Sequence, residues 1–194
     1  MAVILRAADR VAVPWKNGGG VTREVAAHPP YSDLGNFDWR VSLAEVSRGG
    51  PFSAFPGVDR HMVVISGRLE LAISGREVLS LSSDSAPISF PGELPAHAEP
   101  QAGPATDLNV MTRRGRFTAR VTRASVAASA QIRLEADTTL LLALAPLTLC
   151  AASVDVHLAA LDAARFSVNS ETLTVQSAGA GAACWLIEIR TTLD

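Results

Sequence analysis

Short runs of alternating apolar and polar residues, each closed by a turn signal, recur along this 194-residue chain, and helical periodicity is almost absent. A period of two sends successive side chains to opposite faces of an extended backbone, so such runs read as half-buried β-strands. They fall at Arg23–Ala27, Phe37–Val46, Met62–Ser66, Arg68–Ile73, Glu77–Leu81, Ala86–Phe90, Thr106–Met111 and Gly115–Thr122. Ser66-Gly67, Ser74-Gly75, Ser82-Ser83-Asp84-Ser85 and Pro91-Gly92 supply the punctuation. Many short strands with close turns predict an all-β sandwich or barrel, not a parallel sheet crossed by helices.

The second half continues at Gln131–Glu135, Thr139–Ala145, Thr148–Ala152, Val154–Leu158, Arg165–Val168, Thr172–Gln176 and Ala183–Arg190. Met62–Phe90 and Leu140–Val168 share a strand–turn rhythm without sharing residues. Two similar β-barrels in tandem are therefore expected. The first spans residues 1–124, and the second spans 125–194 and is completed by strands exchanged with the first half. The changeover falls in the Ala/Ser-rich stretch Ser125–Ala130, where Ala is also compatible with a short helix. A single irregular β-sandwich is the alternative. Most unusual polar residues precede Arg123, which places function in the first half.

Composition narrows the partners. The net charge is −2, and the densest basic grouping is Arg113-Arg114 with Arg116, which gives no electrostatic footprint for nucleic acid. No apolar run approaches the roughly 20 residues that cross a bilayer, and Met1-Ala2-Val3-Ile4-Leu5-Arg6 has no signal-peptide core, so no membrane partner and a cytoplasmic location are expected. Cys150 and Cys184 have no C-x-x-C spacing and no basic neighbour in sequence, so they read as free thiols, not as a bridge, a metal site or a nucleophile.

The only Lys, Lys16, sits in Trp15-Lys16-Asn17-Gly18-Gly19-Gly20. Three glycines let a backbone bend sharply and approach another surface closely, flanked here by polar heads, although a plain surface turn would look the same. Neither phosphate-loop spacing is present, which argues against a nucleotide. In Phe37–Val46, Asp38, Arg40, Ser42 and Ala44 share one face opposite Phe37, Trp39, Val41 and Leu43, and in Thr106–Met111, Asp107, Asn109 and Met111 oppose Leu108 and Val110. Such polar faces see water on an open sheet, but inside a small barrel they line a ligand cavity. In that case Arg40 is the expected anchor, because its planar guanidinium grips a carboxylate with two hydrogen bonds, and Asp107 and Asn109 complement it. Arg60 follows Asp59 at a strand start, and pairing between the two on the surface is its plain alternative. His28, His61, His97 and His157 are scattered, without the close His pair and Glu of a metal-binding cupin, so neither metal nor other cofactor is expected. With no G-x-S-x-G elbow and no Ser–His or Cys–His pairing, no catalytic residue is assigned; Glu24 and Glu93 are the candidate proton-transfer carboxyls if buried.

Taken in order, Trp15–Gly20 with Thr22 and Glu24, Asp38-Trp39-Arg40 with Ser42, Gly50–Arg60, Phe90-Pro91-Gly92-Glu93, and Asp107–Met111 with Arg113-Arg114-Gly115 resemble the HutD/Ves family of cupin-like bacterial proteins. These blocks cover about residues 10–117, and past Val121 the likeness is one of rhythm. The resemblance implies a two-barrel cupin fold (a bicupin), an association with histidine utilisation, and a sensing or flux-limiting role. Ligands suggested by that setting are small carboxylates such as urocanate and formylglutamate. Glu93 departs from the Asp associated with that position. The expected ligand set is Arg40, Lys16, Asn17, Trp15, Ser42, Arg60, Asp107, Asn109, Met111, Glu24 and Glu93. The leading expectation is a non-catalytic carboxylate-binding protein. The alternatives are a metal-independent isomerase or hydrolase of a histidine breakdown product, and an interaction protein whose sheet edges pair with a second copy as a homodimer.

Overall fold

The structure, a computed structural model, describes residues 2–150, 155–167, 171–177, 179 and 181–192. Ala151, Ala152, Val154 and Val168, at the ends of expected strands, lie outside the described residues. Apart from one short 3-10 turn at Ala7–Asp9, the regular secondary structure of the described residues is all β-strand, so the all-β expectation holds. No helix among the described residues is long and apolar enough to cross a membrane.

The chain divides into two compact units, one formed by Val11–Thr118 and the other by Met1–Arg10 with Ala119–Asp194. This differs from a division at 124/125. Ala2–Leu5, absent from the expected strands, pairs antiparallel with Ala163–Phe166 and so belongs to the second unit. Ser125–Ala130 forms no helix: one strand runs through Phe117–Val126 and the next starts at Ser129.

In the Val11–Thr118 unit a six-stranded antiparallel sheet has the order Ala12–Pro14, Gly20–His28, Trp39–Val46, Ala105–Arg113, Val58–Ser66, Ile88–Pro91. A four-stranded sheet has the order Gly50–Pro51, Ala96–Pro100, Arg68–Ile73, Leu79–Ser82. The two sheets share one core. Val46, Met62, Val64, Phe90 and Ala105 from the first pack with Leu69, Leu71, Ile73, Leu81, Ala96 and Ala98 from the second. Arg68–Ile73 shows the rule that builds this core: Leu69, Leu71 and Ile73 are buried while Arg68, Glu70 and Ala72 are exposed. Burying each of those large side chains contributes about 1.5–3 kcal/mol. Gly67 turns the chain between Val58–Ser66 and this strand at φ +77°, and a Cβ there would also lie 2.6 Å from the Pro104 carbonyl oxygen.

Among the described residues these sheets are open, not closed into barrels. Ala12–Pro14, Gly50–Pro51 and Ile88–Pro91 are edge strands and each carries a proline, which cannot donate to a further neighbour.

The other unit has a five-stranded sheet of order Ala2–Leu5, Ala163–Phe166, Thr138–Ala143, Ala182–Thr191, Phe117–Val126, and a four-stranded sheet of order Ser129–Leu134, Glu171–Ser177, Leu147–Cys150, Asp155–Leu158. Its core joins both sheets through residues such as Leu141, Ala143, Phe166, Leu149, Leu158 and Val175. Cys184 lies in that core, and both cysteines are free thiols. Asp162 fastens the first strand's exit. It accepts the Ala7 N–H at 2.7 Å and the Ala159 N–H at 3.0 Å, and it pairs with Arg6 at 2.8 Å. Burial pushes its carboxyl up, but these donors outweigh it and hold the carboxyl below its ordinary value.

A carboxyl depressed by folding stabilises above its unfolded value and loses that contribution as pH falls through it. Asp162→Asn is therefore expected to cost about 1.5–3 kcal/mol at neutral pH, as for hydrogen bonds to a charged acceptor. The difference from the natural sequence should shrink toward pH 3 in urea unfolding curves.

Candidate functional site

Within the Val11–Thr118 unit lies a half-open cavity of about 690 Å³. Its floor is the polar inner face of the six-stranded sheet: Thr22 and Glu24 from one strand, Arg40, Ser42 and Ala44 from the next, then Asn109 and Met111, then Arg60. Antiparallel register sets these side by side, with Glu24 opposite Ser42, Ser42 opposite Asn109, Met111 opposite Arg40 on one side and opposite Arg60 on the other. The remaining walls include Trp15, Lys16 and Asn17, the segment Pro51–Ser53 with Phe55, and Ser32, Asp33 and Leu34.

The glycine-rich segment is a hairpin turn and a pocket wall at once. The Trp15 N–H donates to the Gly20 carbonyl and the Gly18 N–H to the Trp15 carbonyl, both at 2.9 Å, joining Ala12–Pro14 to Gly20–His28. A Cβ on Gly20 would sit 2.2 Å from the Glu45 carbonyl oxygen, so only glycine lets the turn lie this close to the sheet. The Trp15 indole N–H donates to Thr22 Oγ1 at 2.7 Å, and Asn17 Oδ1 accepts the Gly19 N–H at 2.9 Å. Lys16 is exposed and has no ion-pair partner among the described residues.

The cation at the centre is Arg60, not Arg40. Arg60 is 5% exposed and its guanidinium carbon lies 4.9 Å from the Phe52 ring centre, 5.1 Å from Phe90 and 5.9 Å from Phe55. Such faces attract a cation by about 0.5–2 kcal/mol each. Its Nη2 donates to Asn109 Oδ1 at 2.7 Å, and Asn109 Nδ2 donates in turn to Asp107 Oδ1. The buried Arg60 Nε and Asp107 Oδ2 have no protein partner. Burial lowers the Arg60 guanidinium to about 10, opposed by Asp107, and burial pushes the Asp107 carboxyl up to about 7 against the pull of Arg60 and Asn109. Asp107, on the same face of its strand as Asn109, is fully buried and lines no part of the cavity.

Arg40 does face the cavity, but its Nε donates to Glu24 at 2.9 Å and its Nη1 to Ser42 Oγ at 3.3 Å, so its charge is already partly matched. Surface pairing of Asp59 with Arg60 does not occur, because adjacent strand residues face opposite ways: Asp59 pairs with Arg114 at 2.8 Å. Glu93 stands outside the cavity and accepts Arg114 through both carboxylate oxygens at 2.7 and 3.0 Å, a contact that holds its carboxyl below the ordinary range. Unlike the rest of the expected set apart from Asp107, it lines no part of the cavity. Phe52 and Phe55, which the expected set omits, complete the Arg60 enclosure; the aromatic spacing Phe52–Phe55 ahead of Arg60 was the available signal. The histidines diverge: His61 meets Ser89, His97 meets Glu99, His157 meets Thr148 and His28 stacks on Trp39. No three His, Cys, Asp or Glu converge as a cation site among the described residues.

An all-β chain with a polar-floored pocket has cupin-like structural neighbours, among them a cupin 2 conserved barrel domain protein from Leptotrichia buccalis at TM-score 0.63, 11% identity and 92% coverage of each chain. The HutD family model matches residues 7–185, and the chain belongs to the HutD family. A solved HutD from Pseudomonas fluorescens SBW25, described for a formate condition, superposes at TM-score 0.84 with 28% identity over the whole of both chains. Protein Ves from Cronobacter sakazakii is 37% identical over 108 residues, 55% of this chain and 58% of that protein. An uncharacterized 21.2 kDa protein from the hutC 3′ region of Pseudomonas putida is 34% identical over 119 residues, 61% of this chain and 62% of that one. The aligned stretch thus spans somewhat over half the length of these curated relatives.

Folding raises the Asp107 value, so its contribution to stability is fully present below the ordinary carboxyl range and is lost as pH climbs to about 7. Relative to Asp107→Asn, the natural protein is expected to lose roughly 2–4 kcal/mol between pH 4 and 7.5, opposite in sign to the Asp162 effect. Urea unfolding of both proteins across that range measures it.

Proposed function

We propose that the protein is a cytoplasmic, non-catalytic receptor for a small carboxylate, which it senses or whose use it limits in histidine utilisation. The observation that carries this reading is Arg60: a desolvated cation with an unpartnered donor at the floor of a cavity of about 690 Å³. A carboxylate is the complementary species, since it accepts paired N–H donors and supplies the missing charge. Asn109 holds the guanidinium from beneath, the three phenylalanines keep water away, and Lys16 adds positive charge at the mouth. Membership of the HutD family and a relative described by the hutC 3′ region support the histidine-utilisation setting, with urocanate and formylglutamate as candidate ligands. The same reading takes the two units, each a pair of sheets around its own core, as two cupin-like modules, of which the first receives the ligand.

The enzyme alternative rests on one feature, the Glu24 carboxylate, which borders the cavity and is 42% exposed.

In a thermal-shift panel of urocanate, formylglutamate, glutamate and formate, a ligand at a hundred times its Kd should stabilise the protein by about 2.7 kcal/mol. Arg60→Met is expected to remove that response. Lys16→Ala should weaken binding up to about fivefold, the scale of a rim charge, and Glu93→Gln should leave it unchanged. A full ligand response in Arg60→Met sinks the anchor assignment, and sustained turnover of any panel compound, lost in Glu24→Gln, replaces the receptor with an enzyme.

A further inference from the structure

Along the inner face of the sheet, three side chains form one line from the cavity into the core: Arg60 donates to Asn109, and Asn109 donates to Asp107. The two Asn109 bonds fix its amide with oxygen toward the cation and nitrogen toward the acid. Asp107 presents a second oxygen, Oδ2, to no donor at all. An ionised carboxylate left half unpartnered in a dry interior is held there by its counter-charge, and the counter-charge here is Arg60.

Resting on the carboxylate reading above, we propose that anion binding at Arg60 is coupled to uptake of one proton by Asp107. An anion arriving on the guanidinium shares a single cation with Asp107, and two negative groups around one positive group cannot both keep their charge cheaply in a low-dielectric site. The exposed partner is the ligand, whose charge is retained by the solvent at the mouth and by Lys16. The buried partner is Asp107, which is therefore the one to be neutralised. Free Asp107 titrates near neutrality, so the exchange falls within a physiological range. Asp107 touches no ligand in this scheme; it is a positioning residue that acts through Asn109.

The surroundings leave no other group to take that proton. Across the sheet Asp107 sits opposite Ala44 and Val64, both uncharged. On the neighbouring strands the charged groups are Arg40, paired with Glu24, Glu45, paired with Arg23, and Asp59, paired with Arg114. On the facing sheet Arg68, Glu70, His97 and Glu99 are all exposed, and its inward residues Leu69, Leu71, Ala96 and Ala98 carry no charge. His61 neighbours Arg60 in sequence; burial lowers its imidazole against the pull of Asp59, and it pairs with Ser89 at 2.7 Å on the opposite face from Arg60.

The test is the pH dependence of the dissociation constant for sodium formate, whose charge is constant between pH 5.5 and 8.5, followed by Trp15 fluorescence or thermal shift. The natural protein is expected to bind with constant Kd at the acid end and to lose affinity about tenfold per pH unit above neutrality, the slope of one linked proton. Asp107→Asn, which mimics the neutral acid, should bind with a flat profile, and His61→Gln should keep the slope. Should Asp107→Asn fail to fold, infrared difference spectra of the natural protein at pH 8 replace it: formate should raise a protonated-carboxyl band. Binding with a flat profile in the natural protein, or a slope that disappears in His61→Gln, overturns the coupling and leaves the receptor reading standing. Absence of formate binding at every pH, with no response to the larger carboxylates, overturns both.

Discussion

A single buried positive charge organises the Val11–Thr118 unit. Arg60 is enclosed by three phenylalanine rings on its hydrophobic sides and tied by Asn109 on its polar one. Removing a cation from water costs several kcal/mol even after relaxation, so a fold keeps one only where partners and packing offset that cost. The arrangement is conditional: the cation needs Asp107 and Asn109, Asp107 needs the cation, and the buried Arg60 Nε has no protein partner. Stability and the proposed recognition are thus drawn from the same three residues. This explains why the floor of the cavity is polar where the neighbouring core of Leu69, Leu71 and Ile73 is wholly apolar.

Much of this was legible in the sequence because a strand's period is unambiguous. The alternation in Trp39–Val46 and in Asp107–Met111 put Arg40, Ser42, Asn109 and Met111 on one face, and the structure brings them around one cavity. The hairpin carrying Lys16 was visible as a glycine-rich turn, and its place at the cavity rim follows from the close approach that Gly20 permits. Family blocks over residues 10–117 correspond to the unit that holds the pocket, while the family match itself continues to residue 185.

What stayed hidden depended on direction and on partners distant in sequence. Asp59 and Arg60 are adjacent, and nothing local says which one turns inward; the register with Met111 decides it. Arg40 is the anchor the sequence suggests, a planar guanidinium on a polar strand face, yet Glu24, brought opposite Ser42 by a bulged pairing, already occupies it. Glu93 read as a site residue from its motif, but the turn aims it at Arg114. Ala96–Pro100 escaped notice because two alanines make a faint apolar stripe, although Ala96 and Ala98 are buried and His97 and Glu99 exposed as a strand requires. The openness of the sheets was equally hidden, since prolines at edge strands announce themselves only once strand order is known.

The pairing of Ala2–Leu5 with Ala163–Phe166 has a consequence for biogenesis. Ala2 precedes its partner Phe166 by 164 positions, so on the ribosome this strand emerges long before the segment that will receive it. Until Ala163–Phe166 has been made, it must wait as an unpaired ribbon while Val11–Thr118 is free to assemble. Completion of the second unit is thereby a closing stitch, in which a strand made early is taken up by one made much later.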